Sequence, residues 1–329
     1  MELVLPVVFM LIMGFALLAY VVLDGFDLGI GLLLPLGNED DKDMMIASIG
    51  PFWDANETWI VLGIGVLLIA FPEAYGVILT NLYLPVTIML MGLILRGVAF
   101  DFRVKAGIAK KTMWNNIFFL GSLIASCAQG WMLGFYITGL EHHAINYIFA
   151  TLIMFALPML YLMLGSTWLL IKAEGELFDK AVGWGRAAFW PMVIGFGIIS
   201  VTTPVVSASI AAKWFTLPNF ILLLPIPVAS LATLVVIHRL LADRDSVEAK
   251  AWTLFAALTL VCLLAMAGLA YSIFPEIVIG QMTIWESAAP TATLLIVLVG
   301  IVITLPLIIT YTIMVHRIFK GKATHLSYD

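Results

Sequence analysis

Long apolar runs are the feature that most constrains the fold of this chain. Hydrophobic residues make up 63% of its 329 residues and charged residues only 11%, whereas a soluble domain carries about 25% charged residues. A helix of about 20 apolar residues crosses the hydrocarbon core of a bilayer. The sequence therefore predicts an all-α integral membrane protein, a single polytopic membrane domain over residues 1–329. Nine spans are expected, at about 5–35, 51–71, 75–100, 114–138, 145–171, 187–210, 217–241, 251–274 and 290–318.

The basic residues sort onto one side of these spans. Lys213 alone falls on the other side, and Arg96 lies inside the third span. Because cytoplasmic loops carry the excess of Lys and Arg, the N-terminus is expected outside and the C-terminus in the cytoplasm. The main alternative is eight spans, because Pro72 cuts the second span short. With eight spans, however, the basic residues would no longer fall on one side of the membrane. The fourteen residues of the basic side are Lys42, Arg103, Lys105, Lys110, Lys111, Lys172, Lys180, Arg186, Arg239, Arg244, Lys250, Arg317, Lys320 and Lys322.

Two pairs of acidic residues interrupt the first two spans. Asp24 and Asp27 are three residues apart, as are Asp54 and Glu57, and residues at this spacing share one face of a helix. An ionisable group in lipid costs several kcal/mol unless it faces protein or water. The pairs therefore indicate proton handling in a polar cavity that the cytoplasm can reach.

Further charged residues lie towards the cytoplasmic end of the third span, namely Arg96, Asp101 and Arg103. Helices joined by short loops are usually neighbours, so all these groups are expected to lie close together.

Each charged group also has a purely structural interpretation. Asp54 and Glu57 can complement the helix dipole or cap the start of the second span. Asp101 can form a surface pair with Lys105. Asp24 and Asp27 can be held by Arg96 as a buried ion pair. From sequence, the structural and the proton-handling interpretations both stand.

The sequence predicts no haem, metal or catalytic residue in this chain. No histidine is expected at mid-membrane depth, where a haem ligand would lie, and no cluster has the spacing of a metal site. The two cysteines, Cys127 and Cys262, lack a CxxC partner and are expected to pack as small apolar residues. Cofactors of a redox complex would therefore be held elsewhere. The five histidines are His142, His143, His238, His316 and His325.

Four stretches together resemble one known family. They are Asp24-Gly-Phe-Asp-Leu-Gly29, Trp53-Asp-Ala-Asn56 followed by Trp59, the run from Arg96 through Phe100-Asp101-Phe-Arg103 to Lys105, and Thr283-Ile-Trp285-Glu286. From end to end, the chain is similar to subunit II of cytochrome bd-type quinol oxidases. Its short outer loops and its Leu326-Ser-Tyr-Asp329 ending look closer to the cyanide-insensitive branch of that family.

The resemblance implies two four-helix bundles plus one peripheral helix. It also implies a heterodimer with subunit I, which carries haems b and d, or b only, and oxidises quinol while reducing O₂ to water. Subunit II would supply a cytoplasmic proton-uptake route and stabilise the complex in a bacterial or archaeal cytoplasmic membrane. Quinone and lipid are further expected partners, and the presence of a small single-span subunit is left open.

The same resemblance assigns residues to the proton route. Asp54 matches the acid of the Trp-Asp motif associated with that route, and Glu57 is added as a hypothesis because some relatives lack an acid there. The family's other charged positions fall on Asp24, Asp27, Arg96 and Asp101, and the supporting motif residues are Trp53, Asn56, Trp59 and Arg103.

Two competing functions use the same acids. A proton-coupled transporter would have discontinuous helices near the midplane, where prolines could break the spans, although the charges gather at one face instead. In a structural scaffold, the acids would only hold helices together. The prolines inside spans are Pro85, Pro158, Pro225, Pro227 and Pro306.

Overall fold

A computed structural model describes residues 1–105 and 107–324 of the chain. His325 and the Leu326-Ser-Tyr-Asp329 ending lie outside these ranges. Thirteen α-helices form in the described residues, together with a short 3₁₀ turn at Leu34–Leu36. The helices are α1 (Val4–Leu33), α2 (Glu39–Ile49), α3 (Trp53–Ala70), α4 (Pro72–Lys105), α5 (Ile108–Ile137), α6 (Ala144–Lys172), α7 (Gly175–Val206), α8 (Ala208–Trp214), α9 (Asn219–Leu223), α10 (Pro225–Ala242), α11 (Arg244–Ala249), α12 (Ala251–Ile273) and α13 (Thr291–Ile318).

Nine stretches in the described part of the chain are long and apolar enough to cross a membrane, which confirms the predicted number of spans. They are α1, α3, α4, α5, α6, α7, the consecutive pair α9 and α10, α12 and α13. The all-α prediction needs one addition, a two-stranded antiparallel sheet of β1 (Glu276–Val278) and β2 (Met282–Thr283). Gly280 turns the chain between the strands with φ +73°, a conformation that glycine adopts without steric cost.

Several helices extend beyond their expected bounds. The sixth span begins at Gly175 instead of about residue 187, and the third runs from Pro72 to Lys105. The predicted loop before the second span contains a helix, α2, whose N-cap Asn38 exchanges hydrogen bonds with Asp41 in a capping box. Hydropathy locates only the apolar part of a helix, whereas these helices continue as charged turns outside it.

Close helix packing surrounds α1, which contacts α3, α5 and α6. Gly29 of α1 meets Gly165 of α6 so closely that a Cβ on Gly29 would overlap the carbonyl oxygen of Tyr161. Small residues allow helix backbones to approach this closely. Gly65 of α3, by contrast, has no atom within 4 Å of a Cβ built on it.

Three of the five prolines do not divide their spans as a transporter would require. Pro85, Pro158 and Pro306 lie inside continuous helices. Within the described residues, the seventh span consists of two consecutive α-helices, and Pro225 occupies the first position of the second of them, where a missing backbone N–H costs little.

Candidate functional site

Two carboxylates of α1 are fully buried. Asp24 and Asp27 are both 0% exposed. One oxygen of Asp24 accepts a hydrogen bond of 2.6 Å from Nη2 of Arg96 on α4. One oxygen of Asp27 accepts a hydrogen bond of 2.9 Å from the side-chain amide of Asn56 on α3. The buried ion pair with Arg96 is therefore formed by Asp24, whereas Asp27 binds a neutral partner.

Arg96 joins this buried pair to a more accessible acid. Its guanidinium is 1% exposed and lies 3.3 Å from a carboxylate oxygen of Glu57. The side chain of Glu57 is 27% exposed. A single arginine thus contacts one buried carboxylate and one partly exposed carboxylate.

The buried charges do not balance. Among the described residues, the second oxygen of each aspartate and two nitrogens of Arg96, Nε and Nη1, have no hydrogen-bond partner. A buried charge without a partner is costly, commonly about 3–5 kcal/mol when one member of a buried pair is removed. Two buried carboxylates beside one buried guanidinium can therefore accommodate one further positive charge, and a proton on a carboxyl group is the smallest that fits.

An open groove between α3 and α4 carries the remaining predicted acids. It has a volume of about 450 Å³, and its lining includes Asp54, Glu57 and Asp101. Asp54 and Asp101 are exposed. In the described part of the chain, α3 has no side-chain cap and no ion pair joins Asp101 to Lys105. Asp54 does lie in the first turn of α3, where a carboxylate complements the helix dipole, so that structural interpretation still stands.

The two predicted tryptophans take different positions. Trp53 lines the groove, with its ring 4.8 Å from that of Phe100. Trp59 is 2% exposed and packs with Ala16 and Tyr20 of α1. Trp53 therefore borders the accessible side of the site and Trp59 its apolar side.

Arg103 belongs to a different cluster. It is 3% exposed and donates hydrogen bonds to Asn115 of α5 and to Asp43 of α2, the latter at 2.6 Å. Lys111 also binds Asp43, at 2.6 Å. Burial alone would raise the pKa of Asp43, but the hydrogen bonds from Lys111 and Arg103 outweigh it and lower that pKa. Arg103 thus ties α4 to α2 and α5 and does not contact the buried acids.

Sequence reasoning missed a polar network beside Asp24. The amide of Gln129 on α5 donates to the hydroxyl of Tyr20 (2.6 Å) and accepts from the hydroxyl of Tyr161 on α6 (2.7 Å). Tyr20 precedes Asp24 by four residues and shares its helix face. An amide inside the apolar fourth span was the available signal, because a buried amide requires partners.

The histidines engage ordinary neighbours. His142 hydrogen-bonds Tyr147 and Asn81, and His316 bonds the backbone carbonyl of Thr312. His238 packs against two aromatic rings of α7. In residues 1–105 and 107–324, no group of three or more His, Cys, Asp or Glu side chains is placed to hold a metal ion. The contacts of these three histidines are hydrogen bonds and aromatic packing.

Known proteins are similar to this chain in sequence. Residues 5–319 match the family model of cytochrome bd terminal oxidase subunit II. The chain is 27% identical to cytochrome bd-I ubiquinol oxidase subunit 2 of Escherichia coli (strain K12) over 368 residues, covering 98% of this chain and 96% of that protein. It is 28% identical to cytochrome bd ubiquinol oxidase subunit 2 of Bacillus subtilis (strain 168) over 324 residues, covering 92% of each.

A solved structure has the same fold. A chain of the bd oxidase from Geobacillus thermodenitrificans matches with a TM-score of 0.79 at 17% identity, covering 96% of this chain and 98% of that one. The family model spans nearly the whole sequence. The chain therefore belongs to the cytochrome bd terminal oxidase subunit II family.

Proposed function

We propose that this chain gives a cytochrome bd-type quinol oxidase a proton-uptake route from the cytoplasm. The contact of Arg96 with both Glu57 and Asp24 carries the proposal, because it links a partly exposed acid to a fully buried one. Carboxylates that reach from an accessible groove into a membrane protein are typical of proton relays.

In this route the groove acids exchange protons with water. Asp54 and Asp101 lie at the exposed rim, and Glu57 stands between that rim and the buried charges. Arg96 acts as a positioning residue, because a guanidinium does not release its proton. It attracts the anionic forms of Glu57 and Asp24, while water or rotation of a carboxyl group moves the proton between them.

The buried aspartates would hold the proton before it moves deeper. The carboxylates of Asp24 and Asp27 carry more negative charge than Arg96 neutralises, and among the described residues no other cation forms an ion pair with them. A proton on either carboxyl group would remove the excess negative charge. From Asp24, the hydroxyl of Tyr20 and its bonded Gln129 and Tyr161 continue the line of polar groups into α5 and α6. Asn56 keeps Asp27 in place from α3.

The complex would place the redox chemistry in a partner. Subunit I would hold haems b and d, or b only, which supply electron transfer from quinol to O₂ when bound. This chain would then stabilise the complex as well as deliver protons. Quinone and lipid remain proposed partners, as does a small single-span subunit.

The membrane arrangement is part of the same proposal. The N-terminus would be external and the C-terminus cytoplasmic, in a bacterial or archaeal cytoplasmic membrane, since the basic residues gather on one side. One four-helix bundle would comprise α1, α3, α4 and α5, and the other would comprise α6, α7, α10 and α12. The peripheral helix would be α13, which contacts α3. The whole chain, residues 1–329, would form one polytopic domain.

The experiment purifies the complex through a tag on this chain and compares Asp24→Asn with Asp40→Asn. Asp40 is an exposed acid of α2 outside the groove, so its variant changes charge by the same amount. Loss of a positioned proton-transfer group commonly slows a reaction by 10²–10⁴-fold. Quinol-driven O₂ uptake in Asp24→Asn is therefore expected to fall at least roughly tenfold and to change its pH profile, while the haem spectrum stays that of the wild type.

Three outcomes are informative. Equal turnover and equal pH profiles in the two variants would reject the proton route and favour the scaffold, which the direct bond between Asp24 and Arg96 also fits. Parallel loss of haem absorbance and activity in Asp24→Asn would likewise indicate a structural role. A purified chain without haem or a partner subunit would contradict the assignment to an oxidase complex.

A further inference from the structure

We propose that a pocket on the basic side of this chain binds the phosphate group of an anionic phospholipid. The pocket has a volume of about 330 Å³ and lies where α6 ends, α12 begins and the chain leaves α13. Three lysines, Lys250, Lys320 and Lys322, contribute to its lining. None of them belongs to the acid cluster or to the groove between α3 and α4.

The charge of the pocket is strongly positive. Its one acidic lining residue, Glu248, is already bound by Arg244 at 3.0 Å. Among residues 1–105 and 107–324, no carboxylate lies within 4 Å of the ammonium groups of the three lysines. Lysines that line the same concavity repel one another through their like charges, and an anion bound there would relieve that repulsion.

The wall that carries two of these lysines is fixed by hydrogen bonds. Lys172, at the end of α6, is 3% exposed and donates to the backbone carbonyls of Phe319 and Gly321. The backbone N–H of Ala323 donates to the carbonyl of Lys172 at 2.8 Å. The ammonium of Lys322 donates to the carbonyl of Ala173 at 2.9 Å. The segment after α13 is therefore held against α6 and does not form a free basic tail.

The start of α12 adds to the attraction for an anion. This helix has 23 residues, and its N-cap residue is Lys250, which makes no side-chain cap. Because a lysine side chain has no acceptor atom, it leaves the N–H groups of the first turn without a side-chain acceptor. Such groups favour negative charge, so they act together with the lysines.

The position of the pocket favours a lipid over a free phosphate ion. All three helices around it are membrane spans, and their ends here are those on the basic side. Leu170 and Ile171 supply apolar lining, and Trp252 is 53% exposed, as is typical of tryptophan at a membrane interface. Basic pockets between transmembrane helices on the cytoplasmic side recognise anionic lipid head groups. A free phosphate would use the lysines but gain nothing from the apolar rim.

The test uses the purified, delipidated complex and native mass spectrometry. It is titrated with phosphatidylglycerol, which is anionic, and with phosphatidylcholine, which is zwitterionic. The variant Lys250→Gln/Lys320→Gln removes two charges and leaves the hydrogen bonds of Lys172 and Lys322 in place. Since one basic residue near a membrane surface contributes about 1 kcal/mol of attraction, this variant is expected to bind phosphatidylglycerol on the order of 30-fold more weakly.

Matched variants separate the pocket from general charge. Lys105→Gln/Lys110→Gln removes two exposed charges elsewhere on the same side and is expected to bind like the wild type. Lys250→Arg/Lys320→Arg keeps the charges and is expected to retain binding. The proposal is overturned if the pocket variant binds phosphatidylglycerol as tightly as the control variant does, or if phosphatidylcholine binds equally well.

Inorganic phosphate provides the second arm. If millimolar inorganic phosphate fails to displace phosphatidylglycerol, the lipid is the ligand. If it displaces the lipid completely and binds alone with the same dependence on Lys250 and Lys320, the lipid source is rejected and the pocket is a site for free phosphate.

Discussion

Two charged clusters on α4 use the same residue types in opposite ways. Arg96 and Arg103 are seven residues apart, about 10 Å along the helix. Arg96 contacts the buried Asp24 and leaves two of its nitrogens without a partner. Arg103 and Lys111 both bind one carboxylate, Asp43, whose side chain is 28% exposed.

The difference distinguishes a structural ion cluster from one suited to moving charge. Around Asp43, two cations surround a carboxylate that water also reaches, so its charged state is fixed. Around Arg96, carboxylates outnumber cations and water is largely excluded. The protonation state of one acid therefore determines the net charge of this cluster. Substitutions in and around the two clusters test this contrast.

Arg96→Met should be the most damaging substitution. It would leave Asp24 buried without a counter-charge, a loss expected to lower the free energy of unfolding by about 3–5 kcal/mol. Denaturation of the purified complex in mixed micelles, followed by tryptophan fluorescence, measures it. Arg103→Met is the matched control and should cost less, since Asp43 retains Lys111 and contact with water.

A second substitution sharpens this result. Asp24→Asn in the Arg96→Met background should recover part of the lost stability, giving a non-additive double-mutant cycle. Equal losses in Arg96→Met and Arg103→Met, or strict additivity with Asp24→Asn, would show that the two clusters do not differ in the way described.

The sequence could predict much of this site, for physical reasons that also set its limits. Short loops make the first three spans neighbours, so an arginine inside the third span had few possible partners other than Asp24 and Asp27. The sequence did not reveal which aspartate takes Arg96, because that depends on how each helix is rotated about its axis. The binding of Asn56 to Asp27 depends on the same rotation.

Other features were hidden because they join distant parts of the chain. Gln129 bridges tyrosines on two other helices, and no local pattern encodes such a contact. Arg103 turns towards α2, a helix that hydropathy cannot detect because its first turn carries three acids. The span count was more secure, because apolar length alone determines which segments can cross a bilayer.

Gly29→Ala tests how strongly the fold depends on the close packing of α1 against α6. An added Cβ would overlap the backbone of α6 at Tyr161, so the two helices must separate, at an expected cost of about 1–3 kcal/mol. Gly65→Ala is the control, because no atom lies within 4 Å of its Cβ position. Melting temperatures of the purified complexes measure both. A Gly29→Ala variant as stable as Gly65→Ala would mean that α1 and α6 can adjust without loss.

Asp43→Asn should have the smallest effect, about 1 kcal/mol at pH 7, because its ion pairs are partly exposed to solvent. The hydrogen bonds from Lys111 and Arg103 hold the pKa of Asp43 below its usual value despite its partial burial. The ionised form is therefore the stabilising one. Its contribution is fully present above the usual aspartate pKa of about 3.9 and is lost as the pH falls through the lower pKa of the folded state.

Denaturation midpoints of the wild type and of Asp43→Asn, measured from neutral to acidic pH, should accordingly converge on acidification. A difference that stays constant to the lowest pH would show that Asp43 acts through the shape of its hydrogen bonds and not through its charge, and the contrast with Arg96 would then rest on burial alone.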